Sequence, residues 1–114
     1  MPPPNQKNEL LQGTLDLLIL RTLQMGPMHG FAVAKRVEQV SEDLLRVEHG
    51  SLYPALYRLE EQGFISAFWD VTENNRKAKY YKLTRSGQKQ LERELENWRR
   101  LSLGIERVIA SVEG

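Results

Sequence analysis

Six cations, Arg76, Lys77, Lys79, Lys82, Arg85 and Lys89, fall between Asn74 and Gln90, and no acid interrupts them. Guanidinium and ammonium groups at that density neutralise phosphate oxygens. The chain as a whole carries a net charge of only +1 over 114 residues, and Met1 to Asp70 holds six Lys or Arg against nine Asp or Glu. Positive charge is therefore segregated rather than abundant. A second chemical set lies in GSLYPALYRLEEQGFI, Gly50 to Ile65. Leu52, Leu56 and Leu59 recur there at helical spacing and take the core side. Ser51, Tyr53, Tyr57 and Arg58 fall outside that stripe, so hydroxyls and one guanidinium face solvent. Such groups donate to phosphates and to base edges. Lys35 and Arg36 add two cations on a neighbouring amphipathic segment, GFAVAKRVEQV, whose Phe31, Val33, Ala34 and Val37 are expected to turn inward.

Other chemistries lack their residues. With no cysteine, a thiol nucleophile, a disulfide and an iron–sulfur cluster are excluded, and the composition fits a reducing cytoplasm. His29 and His49 are the two histidines, and neither belongs to a set with metal-ligand spacing. No nucleophile–base motif, phosphate-cradling glycine loop or dinucleotide fingerprint is present. The expectation is a non-enzyme without metal or cofactor, and no apolar run reaches the length of a membrane span.

The elements that position these groups read as follows. Met1 to Asn8, with its triple proline, is expected to be a disordered tail. A first helix is expected over Glu9 to Met25. Leu11, Leu15, Leu18 and Leu23 share a face there, and Leu10, Leu17, Ile19 and Leu20 widen it until it needs cover on more than one side. Gly26-Pro27 ends that helix. A second is expected over Gly30 to Val40, Arg46 to Glu48 as a short strand, and a third helix over 50–63, stopped by Gly63. Ala67 to Thr72 and Lys79 to Leu83 are the arms of a hairpin whose basic turn spans 73–79. Helix, strand, basic turn, strand is the grammar of a winged helix-turn-helix. Thr84 suits a helix cap, and from Arg85 a seam of Leu91, Leu95, Trp98, Ser102, Ile105, Ile109 and Val112 repeats at heptad spacing. A helix of roughly 27 residues spans about 40 Å, more than a domain this small covers, so its seam asks for a second chain. The fold class is α+β and mostly helical: a winged helix-turn-helix domain over 9–84 and a long dimerisation helix over 85–114.

HGF at 29–31, GSLYPALYRLEEQGFI at 50–65 and RKAKYYKLTRSGQKQL at 76–91 together resemble the PadR family of bacterial transcriptional regulators, specifically its small subfamily with one C-terminal helix. The resemblance implies a homodimer, cytoplasmic and nucleoid-associated, that binds a palindromic double-stranded operator, usually as a repressor. Lys35, Arg36, Ser51, Tyr53, Tyr57, Arg58, Arg76 and Lys77 are the expected DNA contacts, and Leu91, Leu95, Trp98, Ile105, Ile109 and Val112 the expected dimer seam. A branch of the small PadR regulators has a tryptophan at what looks like the place of Trp98, where a pair sandwiches a flat aromatic ligand. That likeness implies a planar hydrophobic effector held between two Trp98 rings. The competing reading is a winged-helix protein-interaction module without operator-specific DNA binding, suggested by Glu42, Asp43, Glu48, Glu60 and Glu61.

Overall fold

The computed structural model describes residues 4–113, and the side chains of residues 13–112. Helix α1 (Pro4–Leu23) is followed by strand β1 (Met28–His29), helix α2 (Gly30–Val40), helix α3 (His49–Glu61), strands β2 (Ile65–Val71) and β3 (Lys77–Leu83), and helix α4 (Arg85–Glu113). The first helix starts at Pro4, earlier than the expected Glu9. Proline is tolerated in a first turn because its missing N–H had no helical partner there. Met1 to Pro3, the start of the expected tail, lie outside the described residues, and the side chains of Leu10 and Leu11 lie outside those described.

One core joins every helix to the sheet. Leu15, Ile19, Leu20 and Leu23 of α1 meet Val33 and Val37 of α2, Leu52, Leu56 and Leu59 of α3, Ile65 and Tyr81 of the sheet, and Leu91 of α4. Each buried leucine or isoleucine contributes about 1.5–3 kcal/mol relative to exposure. The wide apolar arc of α1 is explained by its position, since α2, α3, α4 and β3 all pack on it. Phe31 corrects the expectation for α2. The inward stripe is Gly30, Val33, Ala34 and Val37, and Phe31, about 100° off that stripe, is 49% exposed.

The sheet has the order β1-β3-β2, antiparallel throughout. The expected strand at Arg46 to Glu48 is not one. Both edges of β3 are already taken, by β2 and by Met28–His29, so no β3 edge is left for a third partner. Residues 46–48 instead form a link whose Val47 is buried and donates its N–H to Glu38 Oε2 at 3.1 Å. The remaining elements meet their expected places within a few residues.

The end of α3 and the start of α4 are clasped together. Gly63 has φ +79°, the left-handed conformation that ends helices without a Cβ penalty. Its carbonyl accepts from Thr84 Oγ1 at 2.6 Å and Ser86 Oγ at 3.1 Å. Thr84 Oγ1 in turn accepts from the N–H of Gly87 at 3.0 Å, capping α4. From there α4 runs 29 residues, about 43 Å, and draws the molecule out to 57 × 32 × 24 Å.

Candidate nucleic-acid interface

Helix α3 presents a narrow exposed crest. Its buried stripe is Leu52, Ala55, Leu56 and Leu59. At about 100° per residue the opposite side is Gly50, Pro54, Tyr57 and Glu61, all exposed. Tyr53 and Glu60 flank the crest toward the sheet, where Lys79 Nζ donates to Glu60 Oε1 at 3.2 Å. Ser51 and Arg58 flank it on the other side. Pro54 lies inside the helix and, having no N–H, leaves the Gly50 carbonyl one turn earlier without a helical donor.

The expected DNA contacts divide on this geometry. Lys35, Tyr53, Tyr57, Arg76 and Lys77 are exposed, and Ser51 is half-buried at the start of α3. Arg58 is engaged elsewhere: its Nη2 donates to Asp16 Oδ1 of α1 at 2.6 Å. Arg36 is half-buried with its Nε buried and unpartnered among the described residues. It lines an apolar groove of about 450 Å³ between α1 and α2, beside Leu18, Met25, Val37, Val40 and Leu45. Tyr57 has its own neighbour in Glu61, whose carboxylate pushes the phenolic hydroxyl above its ordinary pKa.

Three groups absent from the sequence-based set complete the face. The rings of Phe31 and His49 meet edge-on at 5.8 Å, and those of His49 and Tyr53 at 6.2 Å. Lys35 Nζ lies 5.6 Å from the Phe31 centroid, a cation–π distance. Gly30 makes room for Tyr53, since a Cβ there would meet Tyr53 Cε1 at 3.0 Å. On the wing, Trp69 is 69% exposed. It stands opposite Lys79 across the ladder, so it shares the sheet face that Lys79 turns toward α3. No spacing signal in the sequence separates an exposed wing tryptophan from a packed one.

The wing turn is held by Thr72, which donates its N–H to the Arg76 carbonyl at 2.8 Å and accepts from Asn75 N–H at 2.9 Å through its carbonyl. Asn75 takes φ +60°, a conformation asparagine tolerates. Arg76 and Lys77 therefore stand where this short, closed turn passes into β3, Arg76 bonded to Thr72 and Lys77 paired with Val71.

Behind the interface, Asp16 and Glu94 bring two carboxylates together at the α1–α4 contact. Desolvation pushes Asp16 above its ordinary range and outweighs the Arg58 pairing that pulls it down. Desolvation also raises Glu94, a hydrogen bond from Gln90 offsets this in part, and the Asp16 charge raises it further. Glu94 Oε2 is buried without a partner among the described residues. A raised carboxylate favours the fold when protonated, so the penalty is absent below the ordinary range and grows as pH rises through the shifted value. Glu94→Gln should therefore raise Tm at pH 7, with the gain shrinking toward about pH 4. Melts of both chains across that range check it.

Comparison with known proteins places this geometry among relatives. The model of the "Transcriptional regulator PadR-like family" matches residues 19–93. A transcriptional regulator from Clostridium thermocellum superposes with a TM-score of 0.79 at 26% identity, covering 87% of this chain and 96% of that one. A PadR-like transcriptional regulator from Bacillus cereus gives 0.75 at 25% identity, covering 89% and 96%. A PadR family transcriptional regulator from Eggerthella lenta gives 0.74 at 30% identity, covering 92% and 89%.

Proposed function

The chain belongs to the PadR-like family of transcriptional regulators, winged-helix DNA-binding proteins rather than enzymes, and from that premise we propose that it acts as a homodimeric repressor on a palindromic operator. In this reading residues 9–84 form the DNA-binding unit and the helix from Arg85 the dimerisation element. The α3 crest enters the major groove while the wing tip, Arg76 and Lys77, reaches the adjacent backbone or minor groove. Lys35, Ser51, Tyr53 and Tyr57 make the nearer contacts. Arg58 acts through Asp16, fixing α3 on α1, and Arg36 is a phosphate contact only if it leaves its groove. A cytoplasmic, nucleoid-associated location follows from the role.

The observation that carries the reading is the exposed, hydrogen-bonded wing turn with Arg76 and Lys77 at its junction with β3, the strand whose Lys79 is paired with Glu60 of α3. Replacing Arg76 and Lys77 together by alanine should lower operator affinity on the order of tenfold or more and flatten the salt dependence by about 0.9 per lost phosphate contact. A titration of labelled operator across a salt series reads both. Exposed Glu42, Asp43, Glu48 and Glu61 near α3 favour the second reading, a protein-interaction module, which requires the double variant to behave as the parent does.

Dimerisation is supported by the outer half of α4. Trp98, Leu101, Ile105, Val108, Ile109 and Val112 are all exposed, from 45% at Trp98 to 85% at Val112. A continuous apolar stripe of that extent marks an interaction surface. Leu91 is buried and Leu95 packs against the protomer's own core, so the seam between chains begins at Trp98. Two Trp98 rings brought together there would accept a planar hydrophobic effector that loosens DNA binding. Quenching by planar cations, measured in a Trp69→Phe background so that only Trp98 emits, should appear and vanish on Trp98→Ala; a broad panel without quenching contradicts the effector.

A further inference from the structure

Base readout by paired hydrogen bonds needs particular side chains: Arg or Lys for guanine, Asn or Gln for adenine. The exposed part of α3 offers none in its first turns. His49, Gly50, Tyr53, Pro54 and Tyr57 are what it presents, beside half-buried Ser51, and Arg58 is tied to Asp16 at 2.6 Å. Gln62 stands beyond the far end, as the C-cap. Recognition helices touch base edges with their N-terminal residues, so its place is wrong for the central contacts.

The same face is unusually apolar. Tyr57 is 62% exposed, so its ring is open to a partner along with its hydroxyl. Pro54 presents a pyrrolidine beside it on the crest. Tyr53, His49 and Phe31 continue the surface as a chain of edge-on ring contacts to the start of α2. In a major groove otherwise lined by donors and acceptors, one apolar group varies with sequence: the C5-methyl of thymine.

We infer that the α3 face of this chain reads its operator through thymine methyl groups, with Tyr57 and Pro54 as the contacting residues and the Phe31–His49–Tyr53 rings as the adjoining wall. Specificity then comes from where thymines stand in each half-site, and affinity from the wing and helix cations. This inference rests on the operator reading above. Uracil differs from thymine by that methyl alone, so the contact can be deleted from the DNA without touching the protein.

The test begins with a duplex that the protein itself selects from a random library. Thymines are then replaced by deoxyuridine, one half-site position at a time, and binding of parent and Tyr57→Ala is titrated. Each contacted methyl is worth about threefold to fourfold in affinity, so a symmetric pair of substitutions should cost the parent about tenfold. Tyr57→Ala should bind the thymine duplex more weakly and lose the distinction between dT and dU at one position. Pro54→Ala should do the same at a neighbouring position, and circular dichroism verifies that both variants fold. A parent that binds dT and dU duplexes equally at every position, while still preferring its selected sequence, overturns methyl readout and leaves the regulator intact. A selection that enriches no sequence overturns both.

Discussion

A chain carrying Ile105→Glu and Ile109→Glu should elute as a folded monomer and bind its operator at least about a hundredfold more weakly than the parent. Both side chains are roughly half exposed on one face of α4 and lie outside the protomer's core. Two carboxylates there put like charges against their symmetry mates if the helices pair, and isolated buried charge is costly without a partner. The effect on DNA follows from geometry. Linked heads gain affinity through effective concentration, commonly by 10² to 10⁴, and half-sites about one turn, roughly 34 Å, apart require two heads held at fixed separation. Melting temperature should fall to that of a lone protomer, because pairing stabilises the parent by mass action, while the cooperative transition persists because neither residue contributes to the protomer's core. Analytical ultracentrifugation of the variant decides it: a dimer that binds normally would place the interface elsewhere.

Replacing Gly87 with alanine should destabilise the fold by about 3 kcal/mol or more. An added Cβ would lie 1.9 Å from the Phe64 carbonyl oxygen and 2.8 Å from its carbon. Both are backbone atoms of the α3–β2 junction, so no side-chain rotation relieves the clash; overpacking at such sites costs about 1–3 kcal/mol and sometimes exceeds that. The Phe64 oxygen also accepts from Thr84 N–H at 3.1 Å, so displacing it loosens the cap of α4 as well. Alanine would otherwise help a helix by about 1 kcal/mol, which makes the sign informative. Urea denaturation of Gly87→Ala against the parent measures it. A stabilised variant would mean that the clasp between α3 and α4 is looser than described.

Much of this architecture is written locally. Thr84 before a heptad run, Gly63 after a leucine stripe and turn formers at Glu73 to Asn75 are short-range signals, and each element they mark stands within a few residues of its expected bounds. What escaped was set by distant parts of the chain. Met28–His29 forms a strand because β3 has a free edge beside it, a fact of assembly with no trace in a two-residue segment. Arg58 looks free in its own helix and is paired with a residue 42 positions earlier. Arg36 follows exposed Lys35 but turns into the α1–α2 groove, since a step of one residue rotates a helix side chain by about 100°. Phe31 reads as core by type alone, although a stripe of smaller residues already fills the inward side. Trp69 is similar: aromatic content correctly marks a strand, and the register with Lys79 decides which way the ring points.

The most direct test of the central claim is binding of the purified protein to the DNA upstream of its own gene, beside random DNA of equal length, over a salt series. A regulator of this kind should prefer its own promoter by about 10³ or more at physiological salt and lose affinity steeply as salt rises. Equal affinity for the two DNAs, or none for either, would contradict operator recognition and turn the exposed α3 face toward a protein partner.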